Sequence, residues 1–116
     1  MRSTQITLHN MRRSPALSAR IRELAERLET HHPEILNCRV AVAQDMAGSR
    51  KARAYHVTVR VRVPGRELVA SHEHGDDVYV ALRDAFEAMR RQVVQAAEAA
   101  RGAEIARRAA GVEVPS

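Results

Sequence analysis

The sequence predicts an α+β fold, a two-layer sandwich in the order β-α-β-β-β-α with a four-stranded sheet and two helices on one of its faces. Three observations carry this. Three stretches alternate apolar and polar residues, the two-residue period of strands with one buried face. Two longer stretches repeat apolar residues every three or four positions, the period of helices with one buried stripe. A Pro-Gly pair after the third alternating stretch turns the chain back, so a fourth strand returns antiparallel as a hairpin. Elements that are apolar on one side only bury that side by stacking as two layers.

Thr4 to His9 forms the first strand, with Ile6 and Leu8 on one face. Ser14 and Pro15 open a helix, Ser as its N-cap and Pro at its first position. Leu17, Ile21, Leu24 and Leu28 extend it to about residue 31, and Pro33 stops it. Cys38, Val40 and Val42 mark the second strand, which ends in a basic connection from Met46 to Arg53. The third strand puts Tyr55, Val57, Val59, Val61 and Val63 on one face and His56, Thr58, Arg60 and Arg62 on the other. After the Pro64-Gly65 turn, Arg66 to Glu73 returns antiparallel. Gly75-Asp76-Asp77 then opens a long helix with the stripe Val78, Leu82, Ala85, Phe86, Met89 and Val93, beside which Tyr79 sits. Beyond Val93 the stripe turns to Ala, which buries little area. Gly102 is expected to interrupt the helix, so residues 1–100 read as the domain and 101–116 as a partly helical or disordered tail.

The 116 residues fit one core. Only 3% are aromatic, so Val, Leu, Ile and Ala must fill it. All but one of the 19 basic residues are Arg, the exception being Lys51, and the net charge is +5. Polyanions are the matching partners, and the planar Arg fork suits phosphate better than Lys does. A single cysteine, Cys38, cannot form an internal disulfide, and no apolar run approaches the ~20 residues of a membrane span. With no signal-peptide core after Met1, a cytoplasmic protein is expected, with no membrane partner.

Three stretches make the chain resemble the ribosome hibernation-promoting and ribosome-associated inhibitor family, also named for sigma-54 modulation, in its short form. They are Ile6 to Met11 with Ser14 to Leu17 and Ile21 to Glu29, then Tyr55 to Val59 through Val63-Pro64-Gly65, then Asp77 to Phe86. The last is similar to the family's Asp-x-Tyr-x-Ala-Ile-Asp signature. The resemblance implies a fold like that of double-stranded-RNA-binding domains and a partner in the small ribosomal subunit and its ribosomal RNA. It implies docking near the decoding region, with translation inhibited and idle ribosomes stabilised under stress or in stationary phase. Residues 1–100 would then be the ribosome-binding domain. Two departures stand out. His31-His32-Pro33-Glu34 replaces an aromatic pair with an acid, and no second domain follows, so pairing of ribosomes by this chain alone is not expected.

The candidate RNA-binding residues are Arg13, Arg20 and Arg27 about the first helix and Arg83, Arg90 and Arg91 on the last. The seven-residue spacings keep Arg20 with Arg27, and Arg83 with Arg90, on one side of each helix. Helices side by side would then present a line of guanidinium groups to phosphates. The plainer alternative is a solvated surface on which Glu23, Glu26 and Glu87 pair locally. Arg60 and Arg62 on the open sheet face, with Arg50, Lys51 and Arg53 in the loop, form a second basic zone. Stacking platforms for single strands are lacking, so sequence-specific base reading is not expected.

His72, His74, Asp76 and Asp77, with His31 and His32, are the one grouping suggestive of metal. A turn followed by a helix cap accounts for the same residues, and zinc needs three or four converging ligands. No nucleophile with a base, phosphate-binding Gly loop or carboxylate pair is recognisable, so no enzyme, cofactor or small-molecule substrate is expected. The competing reading is a protein-protein interaction or dimerisation module that uses the sheet edge or the Ala-rich helix and does not bind ribosomes.

Overall fold

A computed structural model of the chain describes residues 4–45, 54–75 and 77–111. The elements are β1 (Thr4–His9), α1 (Pro15–His31), β2 (Asn37–Asp45), β3 (Ala54–Val63), β4 (Arg66–His74) and α2 (Val78–Ala109). The expected order stands, and the sheet runs β1-β2-β3-β4. β1 pairs parallel to β2, with Ile6 opposite Val40. Parallel neighbours need a crossover, which α1 supplies. β2, β3 and β4 form an antiparallel meander. Gly65, at φ +83°, takes the left-handed position of the β3–β4 turn, where a side chain would strain the backbone.

Both helices lie on the apolar face of the sheet. Leu17, Ile21, Ala25 and Leu28 of α1 and Leu82, Ala85, Phe86, Met89 and Val93 of α2 meet alternate valines of β2 and β3. Each fully buried Val, Leu or Ile contributes about 1.5–3 kcal/mol. Tyr55 is half-buried on the same sheet face, whereas Tyr79 is 45% exposed. Cys38 is fully buried on β2; burial, reinforced by the neighbouring charge of Glu29, pushes its thiol up to about 12. It is therefore a neutral core residue and a poor nucleophile.

Both helix starts are capped. The Ser14 hydroxyl accepts from the Leu17 N–H at 3.2 Å. The Asp77 carboxylate accepts from the N–H groups of Tyr79 at 2.9 Å and Val80 at 3.4 Å. Substituting Asp77→Ala leaves two N–H groups without these acceptors and is expected to cost about 1 kcal/mol, measurable by urea denaturation. At the edge strand, Gln92 of α2 donates to the Val69 carbonyl at 2.7 Å, fastening the helix to β4.

Gly102 does not interrupt α2, contrary to expectation, and the helix continues to Ala109. The flanking residues are strong helix formers, and Arg108 pairs with Glu104 one turn back at 2.8 Å. Together they offset the roughly 1 kcal/mol that a mid-helix Gly costs. No atom lies within 4 Å of a Cβ built at Gly102, so Gly102→Ala should firm the projecting helix by a similar amount. Slower amide exchange over residues 103–109 would register it. This overhang, exposed from Glu98 onward, accounts for the 62 Å long axis.

Candidate nucleic-acid interface

Because α1 and α2 lie side by side, a groove opens between them. Leu24, Leu28, Phe86 and Val94 give it an apolar lining, and Arg27, Arg83 and Arg90 stand along it with Glu87, His31 and His32. Three of the six candidate arginines therefore line one groove, and a fourth is tied to it. Glu23 holds both Arg20, at 2.9 Å, and Arg27, at 2.8 Å. Its two partners lie one turn either side of it, which the helical repeat dictates.

Local pairing, the plainer alternative, is also present. Arg90 makes a two-point pair with Glu87, and Arg83 meets Asp84 at 3.3 Å. The Arg90 hydrogen bond, with its charge, holds the Glu87 carboxyl below its ordinary range and raises Arg90 in turn. Such exposed pairs are worth about 0–1 kcal/mol and are screened by salt. A guanidinium has five N–H donors, so one carboxylate leaves others open to a phosphate. The groove is thus a row of exposed, exchangeable Arg–carboxylate pairs over an apolar floor.

The other two candidates lie elsewhere. Arg13 sits on the opposite flank of α1, with Ile6, Leu8 and Arg22 around a separate depression at the β1 edge. Arg91 is exposed on α2 outside the groove. On the open sheet face, Arg60 and Arg62 are joined by Arg39, which sequence reading missed. Alternation with buried Cys38 and Val40 was the available signal, since it places Arg39 on the outward face of β2. Arg50, Lys51 and Arg53 lie outside the described residues.

His72 and His74 lie half-buried on β4, and Asp77 caps α2, while Asp76 lies outside the described residues. Among the described residues no three His, Cys, Asp or Glu side chains gather as a metal would require. No helix among them is long and apolar enough to cross a membrane.

Comparison with known proteins bears on what such a surface serves. The family model described as Sigma 54 modulation protein / S30EA ribosomal protein matches residues 4–101. No curated protein matches the chain by sequence. Among solved structures, a ribosomal subunit interface protein from Coxiella burnetii superposes with a TM-score of 0.69 at 21% identity, covering 84% of this chain and 99% of its own. The N-terminal domain of Thermus thermophilus Protein Y gives 0.59 at 19% identity, covering 77% of this chain and 91% of its own. At these identities the two structures show a shared fold.

Proposed function

This chain belongs to the Sigma 54 modulation protein / S30EA ribosomal protein family, and from that premise we propose that it binds the small ribosomal subunit through ribosomal RNA near the decoding region. There it inhibits translation by occupancy and stabilises idle ribosomes under stress or in stationary phase, in the cytoplasm and without chemistry on a substrate. The observation that carries this reading is the groove in which Arg27, Arg83 and Arg90 converge from two helices. The description of the Coxiella relative as a ribosomal subunit interface protein supports the ribosome as the polyanion.

Physically, binding exchanges weak Arg–carboxylate pairs for Arg–phosphate contacts and releases counterions from the RNA. Arg13, Arg20 and Arg91 extend the contact on either side of the groove. Residues 1–100 act as the binding domain and 101–116 as its tail. Purified protein added to a cell-free translation reaction should lower the yield in proportion to ribosome occupancy. It should also shield decoding-region nucleotides from chemical probes. Full yield with unprotected nucleotides at saturating protein would overturn the reading.

A further inference from the structure

On the open sheet face, the outward residues of three neighbouring strands bring Arg39, Arg60 and Arg62 to one end of the sheet. Arg39 stands directly opposite Arg60 across the β2–β3 pair, and Arg62 is opposite Asn37 on one side and Glu67 on the other. All three guanidinium groups turn to a single carboxylate. Glu67 lies 3.8 Å from Arg39, 3.5 Å from Arg60 and 3.9 Å from Arg62. Three positive charges against one negative leave a surplus of two. Gln5 and Asn37 complete a shallow depression with Arg39 and Arg62, adding amide donors. Among the described residues, the other acids and the histidines of this face lie toward the opposite end of the strands: His9, His56 and Glu73 are level with Ala43, about 13 Å from Arg39 along β2, and Asp45 is about 20 Å away.

This arrangement does little for folding. Like charges directly across a strand pair are destabilising, and three long, exposed contacts to one acid are weak. It suits a ligand with repeated negative charge. Adjacent guanidinium groups spring from backbone positions about 5 Å apart across strands and 7 Å apart along one, a grid that meets consecutive phosphates. No Phe, Tyr or Trp projects from this end of the face, so the contact is with backbone and not with stacked bases.

We infer that the Arg39–Arg60–Arg62 cluster is a second RNA-binding surface, which takes the phosphate backbone of an RNA segment distinct from the one in the helix groove. The inference rests on the ribosomal reading above. The two surfaces lie on opposite faces of a two-layer body, so one face of one rigid RNA helix cannot meet both. The domain is therefore held between two RNA segments, with Glu67 moderating the charge of the sheet side.

The test uses purified small ribosomal subunits and the full chain. Arg39→Gln, Arg60→Gln and Arg62→Gln together should weaken binding by 10- to 100-fold at physiological salt. The slope of log affinity against log salt should become shallower by about 2, each lost phosphate contact contributing roughly 0.7–0.9. Glu67→Gln should act in the opposite sense, tightening binding several-fold, whereas a merely structural role for Glu67 would leave binding unchanged or weaker. Cys38 is buried, so a Ser71→Cys variant carries one reactive thiol, at the exposed middle of the sheet face. An iron chelate tethered there should cut ribosomal RNA.

Wild-type affinity and slope in a folded triple variant would overturn the inference while the groove reading stands. So would cleavage confined to ribosomal proteins, which would mark an acidic protein as the partner of this face. Failure of wild-type protein to bind subunits at all would remove the ribosomal reading itself, and this inference with it.

Discussion

Replacing Arg27, Arg83 and Arg90 together by Gln is expected to weaken binding to small ribosomal subunits on the order of 100- to 1,000-fold, with the fold intact. Each charge-assisted hydrogen bond contributes about 1.5–3 kcal/mol. Shared over three neighbouring and partly redundant contacts, the loss reaches roughly 3–4 kcal/mol, and every 1.4 kcal/mol is tenfold in affinity. The substitutions also free Glu87 and Asp84 from their partners and leave Glu23 with Arg20 alone, so that Glu87 faces an approaching phosphate uncompensated in the groove. Stability should move by no more than about 0.5 kcal/mol per site, since all three side chains are exposed. Arg91→Gln, outside the groove, should cost far less. Equilibrium binding and urea denaturation on the same preparations separate the two effects.

The largest expected effect on stability is that of Leu82→Ala. Leu82 has no solvent exposure and lies on the face of α2 that packs into the core shared by both layers. Truncation there removes three carbons and leaves a cavity that only partly collapses, which costs about 3–5 kcal/mol. That is a large share of the roughly 5–15 kcal/mol by which a domain of this size is stable. The urea midpoint should fall sharply with the slope unchanged. A loss below about 1 kcal/mol would mean that α2 does not close-pack against the sheet as described.

Most of the fold was legible because its signals are local. Alternating valines mark β3, Ser14-Pro15 and Asp77 mark the helix starts, and Pro64-Gly65 marks the hairpin. Which strands neighbour one another is not local, and the parallel pairing of β1 with β2 emerged only in three dimensions. The propensity of Gly102 alone points to a break, but the helix formers around it carry α2 through.

The candidate site was half legible. Seven-residue spacing identified which arginines share a helix face, but that both faces border one groove depends on how α1 and α2 pack. Spacing also could not reveal that Arg13 falls on the other flank of α1. The place of Arg39 is hidden for a similar reason, since its neighbours Arg60 and Arg62 are more than twenty positions away in sequence and join it only through the β2–β3 register.

The central claim, that this domain is an RNA-held ligand of the small subunit, is tested most directly by its affinity for purified small subunits across a salt series. The account predicts measurable binding at low salt, a fall of at least tenfold between 50 and 200 mM (roughly two or more phosphate contacts), and a shallower slope for the groove variant. Absence of binding at the lowest salt, or an affinity indifferent to salt, would contradict it.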